Sequence, residues 1–144
     1  MKKLLLGWEE VDRMSVALVK KIKKNFRPDI IIGVARGGLV PAVRIAHLLG
    51  IRQFRAIDVK YYVGCRRAKK PVLVEDIGKI KGKVLVVDDV VDTGTSLSFV
   101  ISHLKKKGAK EVRTAALAHK PHSSMKPDYF IFETDRWIVF PWEK

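Results

Sequence analysis

Cysteine is almost absent from this chain of 144 residues: Cys65 stands alone, which excludes an intramolecular disulfide and any zinc site built from cysteine pairs. That usage fits a reducing, cytoplasmic setting. Long apolar runs are missing too, and nothing approaches the roughly 20 consecutive apolar residues that cross a bilayer. The start resembles an export signal only briefly, since Glu9 and Glu10 follow soon after Leu4, Leu5 and Leu6, so no membrane partner is expected. Side-chain amides number two, Asn25 and Gln53, and with abundant Lys and Arg this predicts a heat-adapted source. Acidic residues are scarce, 15 against 29 Lys and Arg, for a formal charge of +14. The excess favours an anionic partner, whether phosphorylated metabolite, nucleic acid or acidic membrane surface, without choosing among them. Lys20 to Lys24 and Lys105 to Lys107 read as solvated helix faces and ends.

What is present is an alternation. Val11, Leu18, Ile22 and Phe26 recur near helical spacing, and Arg27 with Pro28 ends that helix. Asp29 to Val34 then reads as a buried strand, followed by a glycine-rich turn, a helix over Val40 to Leu49 stopped by Gly50, and a strand over Phe54 to Val59. Lys60 to Lys70 shows no period and reads as a long mobile loop, returning through a short strand near Val72 to Val74. Lys83 to Val87 is the third buried strand, Ser96 to Lys106 a helix stopped by Gly108, and Glu111 to Ala118 and Tyr129 to Glu133 the remaining strands. With no repeat and no linker, residues 1–144 are expected to form one α/β domain, a mainly parallel twisted sheet with helices on both faces.

Two polar clusters fall where the loops of such a sheet carry chemistry, at the carboxyl ends of strands. In the first, Asp88 and Asp89 leave the apolar run Val84 to Val87, and Asp92, Thr93, Gly94, Thr95 and Ser96 follow just before a helix. Backbone N–H groups and hydroxyls at a helix start can surround a phosphate. Helix capping by Asp92 or Thr95 accounts for one such residue. It does not account for two adjacent acids, whose mutual repulsion calls for cations or sugar hydroxyls. In the second, Arg36, Gly37 and Gly38 follow the strand ending at Val34; alone, this is a weak signal, equally a tight turn with a solvated arginine.

The stretch Val84 to Ser96 resembles the phosphoribosyl-pyrophosphate motif of type I phosphoribosyltransferases throughout its length. The resemblance implies that fold, with a small hood and C-terminal region over the site. It implies that Asp88 and Asp89 meet the ribose hydroxyls and Mg²⁺, that Asp92 to Ser96 cradle the 5′-phosphate, and that Arg36, Gly37 and Gly38 form the pyrophosphate loop with a non-proline cis peptide near Ala35 and Arg36. Trp8, Ala118 to Pro121 and Asp135 to Glu143 are similar to the 6-oxopurine branch, most closely xanthine-guanine phosphoribosyltransferases. By that likeness Lys120 donates to the 6-oxo group, Trp137 stacks on the purine, and the Ile138 carbonyl receives its 2-amino side. Taken singly, Trp137 would pass for a core residue and Lys120 for a surface one.

The expected reaction transfers 5-phosphoribosyl from phosphoribosyl pyrophosphate to guanine, xanthine or hypoxanthine in purine salvage, giving GMP, XMP or IMP, with Asp92 as the base. Glu143 stands where the branch often carries an acid near a second Mg²⁺. Arg66 and Arg67 are alternative pyrophosphate contacts, and Lys60, Tyr61 and Tyr62 depart from the Ser-Tyr pair of many relatives. His119 and His122 flank the base pocket without a metal-ligand spacing. A homodimer or homotetramer is expected. The competing reading is a nucleotide-sensing regulator on the same fold that grips RNA or DNA; the chain carries no added nucleic-acid-binding segment, and no nucleic-acid partner is expected.

Overall fold

All five residues of the strand Ile30–Val34 are buried, as is the apolar run of Lys83–Val91, so the two can pair only in the interior of a sheet covered on both faces. The computed structural model describes residues 2–63 and 69–144. Its elements run β1 (Lys3–Leu5), α1 (Trp8–Lys23), β2 (Ile30–Val34), α2 (Leu39–Leu49), β3 (Phe54–Ile57), β4 (Val59–Val63), β5 (Lys69–Leu73), β6 (Lys83–Val91), α3 (Thr95–Lys106), β7 (Glu111–His119), β8 (Phe132–Glu133) and β9 (Trp137–Val139), with a 3-10 turn at Pro141–Glu143. The central sheet has the order β3-β2-β6-β7-β8 and every pairing in it is parallel.

Alternation along the strands divides the core. Ile31, Leu85, Val87, Ala115 and Leu117 meet Leu18, Ile22, Ala42 and Ile45 of α1 and α2. Ile30, Ile32, Val84, Val86 and Ala116 point the other way, to Leu97, Val100 and Leu104 of α3. Each fully buried Leu or Ile contributes about 1.5–3 kcal/mol relative to exposure, so two such layers hold the strand ends in place. The acidic Glu9 and Glu10 begin α1 and basic residues end it, matching the helix dipole.

Three local expectations change, and one pairing is new. β6 continues to Val91, so Asp88 and Asp89 lie inside a paired strand rather than after it. Much of the expected loop at Lys60 to Lys70 is paired: β4 and β5 form an antiparallel hairpin in register from Val59 with Leu73 to Val63 with Lys69. Cys65, Arg66 and Arg67 lie outside the described residues. The last sheet strand is only Phe132–Glu133, Tyr129 making an isolated bridge to Ala115. Finally, β1 and β9 form a separate parallel pair, Lys3 with Trp137, Leu4 with Ile138 and Leu5 with Val139. No helix is long and apolar enough to cross a membrane among the described residues.

Candidate functional site

The acids within β6 accept from the main chain beside them. Asp88 Oδ1 accepts from the Asp89 N–H at 2.8 Å, and Asp89 Oδ1 accepts from the Val90 N–H at 2.7 Å. Each carboxylate is thus held at one oxygen, with its second oxygen uncommitted by these bonds. Burial, and then the Asp89 charge beside it, push the Asp88 carboxyl well above the usual carboxylate range. A cation arriving here would relieve that repulsion.

Above β2, the Ala35–Arg36 peptide is cis, as the family likeness implies. The Ala35 N–H donates to the Ile57 carbonyl at 2.8 Å, fixing the loop to β3. Gly37 and Gly38 follow where no side chain fits: a Cβ on Gly37 would stand 2.0 Å from Asp89 Oδ2, and one on Gly38 would stand 2.6 Å from the Val34 carbonyl oxygen and 2.7 Å from that of Val87. The loop therefore presses its main chain against the acid pair. A cleft of about 580 Å³ opens beside it, lined by Arg36, Gly37, Val40, Asp89, Trp142 and Glu143. Glu143 reaches this cleft because Pro141 starts the terminal 3-10 turn and Trp142 stacks on Phe140 with ring centroids 4.7 Å apart.

Downstream, Gly94 caps α3 with φ of 89°, a left-handed conformation open to glycine at little cost. Thr93, Thr95 and Ser96 collect their hydroxyls at the helix start, where Thr93 Oγ1 accepts from the Thr95 N–H at 3.3 Å. The hairpin reaches the same spot, since the Tyr61 hydroxyl hydrogen-bonds Ser96 Oγ. Asp92, between acids and hydroxyls, pairs with His122 Nε2 at 2.7 Å.

The last group lies beyond β7. Lys120 is only 8% exposed, and its Nζ donates to the Arg136 carbonyl. The Arg136 guanidinium in turn donates to the Lys3 carbonyl at 3.0 Å, and Trp137 begins β9. Trp137 is 55% exposed, offering an indole face, while Ile138 is buried and paired with Leu4. His119 is buried edge-on against Phe130, with centroids 4.4 Å apart. The structure thus joins Arg36, Gly37, Asp89 and Glu143 in one cleft, and Lys120 with the strand of Trp137. The contacts of His122 and Tyr61 were not legible as such, because they span 30 and 35 residues with no local motif.

Among the described residues no three His, Cys, Asp or Glu side chains converge as a metal cage. Mg²⁺ keeps several waters and takes one or two carboxylates plus substrate oxygens. The adjacent, half-buried Asp88 and Asp89 could supply those carboxylates.

Residues 6–143 match the family described as phosphoribosyl transferase domain. The xanthine-guanine phosphoribosyltransferase of Idiomarina loihiensis is 32% identical, over 99% of this chain and 88% of the relative. A crystal structure of a purine phosphoribosyltransferase from Pyrococcus horikoshii Ot3 superposes with a TM-score of 0.93 at 52% identity, covering 100% of this chain and 96% of that one. A Neisseria gonorrhoeae protein solved with bound ppGpp superposes with a TM-score of 0.86 at 26% identity, over 99% and 90% of the two chains.

Proposed function

Since the chain belongs to the phosphoribosyl transferase domain family and is a purine phosphoribosyltransferase, we propose that it transfers 5-phosphoribosyl from phosphoribosyl pyrophosphate to a 6-oxopurine, guanine, xanthine or hypoxanthine, in purine salvage. The observation that carries this reading is that the carboxyl ends of two adjacent strands, β6 and β7, lead into both the acid pair with its hydroxyl turn and a buried lysine tied to the strand of an exposed tryptophan.

In this reading the start of α3, with Thr93 to Ser96, receives the 5′-phosphate through backbone N–H groups and hydroxyls. Arg36 and the N–H groups of Gly37 and Gly38 receive the pyrophosphate. Asp88 and Asp89 accept from the ribose hydroxyls and would hold Mg²⁺, with Glu143 bordering a second position. When bound, Mg²⁺ would neutralise charge on the departing pyrophosphate. Trp137 stacks on the purine, Lys120 donates to its 6-oxo oxygen, and the Ile138 carbonyl accepts from the 2-position. Asp92 takes the purine proton as positive charge grows at the anomeric carbon. A guanine nucleotide phosphorylated at both ends of its ribose suits the two anion-receiving loops, and the ppGpp-bound neighbour supports that match. Exposed Leu5, Trp8 and Val43 supply apolar surface for a homodimer or homotetramer.

Pyrophosphate release measured with guanine, xanthine, hypoxanthine and adenine tests the reading. Turnover with oxopurines and little with adenine is expected. No turnover with any base, together with salt-sensitive nucleic-acid binding, would establish the regulator instead.

A further inference from the structure

Asp92 and His122 are brought together by a stitched pair of loops. The segment after β7 runs alongside the end of β6: Lys120 N–H donates to the Val91 carbonyl at 2.9 Å, Ser124 N–H to the Thr93 carbonyl at 2.9 Å, and Ser124 Oγ to the same carbonyl at 2.8 Å. Ser123 Oγ closes the segment on itself through the Met125 carbonyl at 2.6 Å. A Cβ on Gly94 would stand 2.9 Å from the Met125 main chain, so the two loops are in close contact. His122 lies within this seam, its Nε2 2.7 Å from Asp92 Oδ1.

Stability is a weak reason for such a pair. The side chains are 61% and 62% exposed, and exposed ion pairs contribute about 0–1 kcal/mol. Geometry offers a stronger one. A carboxylate on a turn rotates freely unless one oxygen is held, and proton transfer requires the accepting oxygen to be aimed at its donor. We propose that His122 is a positioning residue for the phosphoribosyl transfer: its Nε2–H engages Asp92 Oδ1 and leaves Oδ2 directed at the purine.

The step balances within the reaction. Purine N9 bonds to the anomeric carbon as the carbon–oxygen bond to pyrophosphate breaks, its electron pair leaving with pyrophosphate. The N7–H bond breaks, its electrons remain in the ring, and the proton passes to Oδ2. The imidazole keeps its own proton throughout. This inference rests on the reading of Asp92 as the base.

The test compares Asp92→Asn, His122→Ala and His122→Gln in the full chain, using guanine, phosphoribosyl pyrophosphate and Mg²⁺. His122→Ala should lower kcat about 10-fold, with KM for the donor within about 2-fold and thermal unfolding unchanged. His122→Gln, whose amide N–H reaches from about the same distance, should recover most of that loss. Full turnover by Asp92→Asn overturns the base reading and the inference with it. An impaired Asp92→Asn beside a fully active His122→Ala, or a Gln variant as poor as Ala, leaves the base reading standing and overturns the role of His122.

Discussion

Gly37 and Gly38 are neighbours whose replacement by alanine should fail in opposite ways. Gly38 has φ of −68°, a value open to any residue, so only space opposes a side chain there. The obstructing atoms are main chain: the carbonyl oxygens of Val34 and Val87 at 2.6 and 2.7 Å and Asp88 Cα at 2.9 Å. Reaching ordinary contact near 3.4 Å requires each to retreat by about 0.5–0.8 Å. These atoms belong to β2 and β6, and no rotamer change moves them. Overpacking of this kind costs about 1–3 kcal/mol, and Gly38→Ala should lie at the upper end, near 3 kcal/mol. At Gly37 the obstruction is the Asp89 carboxylate, at 2.0 Å to Oδ2 and 2.8 Å to Cγ. Rotation of that side chain relieves it at the expense of its bond from the Val90 N–H, so Gly37→Ala should cost about 1 kcal/mol in stability. A displacement near 1 Å in a site nevertheless costs about 100-fold in rate, and Gly37→Ala should lose that much kcat/KM for the donor. Urea unfolding and pyrophosphate release on both variants provide the measurement. A Gly38→Ala protein with an unchanged unfolding midpoint, or a Gly37→Ala protein with full activity, would refute the reasoning.

Asp88 gives a pH signature. Its folded-state carboxyl is raised above the unfolded reference of 3.8 by burial and by Asp89, so the folded state binds more protons between that value and the raised one. The stabilising contribution is full below the reference and is lost as pH rises through the folded value; Asp88→Asn without substrate or Mg²⁺ should therefore be more stable than the parent at neutral pH, with the gain vanishing below about pH 4 in urea unfolding. Trp137→Ala should raise KM for guanine about 5- to 150-fold, corresponding to about 1–3 kcal/mol of stacking, while thermal unfolding stays put because the ring is mostly exposed. Arg113 bonds Glu111 at 2.7 Å and the Tyr129 hydroxyl at 2.8 Å and lies 4.5 Å from the Phe26 ring centroid, so Arg113→Ala should cost about 1–2 kcal/mol in urea unfolding with turnover unchanged.

The α/β order and the acid-hydroxyl turn were legible because their determinants are local. Buried strands such as Ile30–Val34 carry apolar, mostly β-branched runs, and Val84 to Ser96 holds strand, acids and helix start in one stretch. The β4–β5 hairpin was hidden, since Lys60, Lys70 and Pro71 break any apolar alternation. β1 and β9 are three residues each, too short for a period, and their pairing depends on residues far apart in sequence. The burial of Lys120 was equally invisible locally, because the carbonyl that accepts its proton belongs to Arg136.

The β1–β9 pairing also orders events on the ribosome. Lys3–Leu5 emerges first, yet its partner Trp137–Val139 follows about 130 residues later. At about 5–20 residues per second, that strand waits on the order of ten seconds with its backbone unpaired. The acid pair and hydroxyl turn have been translated well before then. The nascent chain therefore passes through an interval in which the acid pair and hydroxyl turn can assemble while Lys3–Leu5 has no backbone partner, and the strand bearing Trp137, the proposed base-stacking residue, docks on it only afterwards.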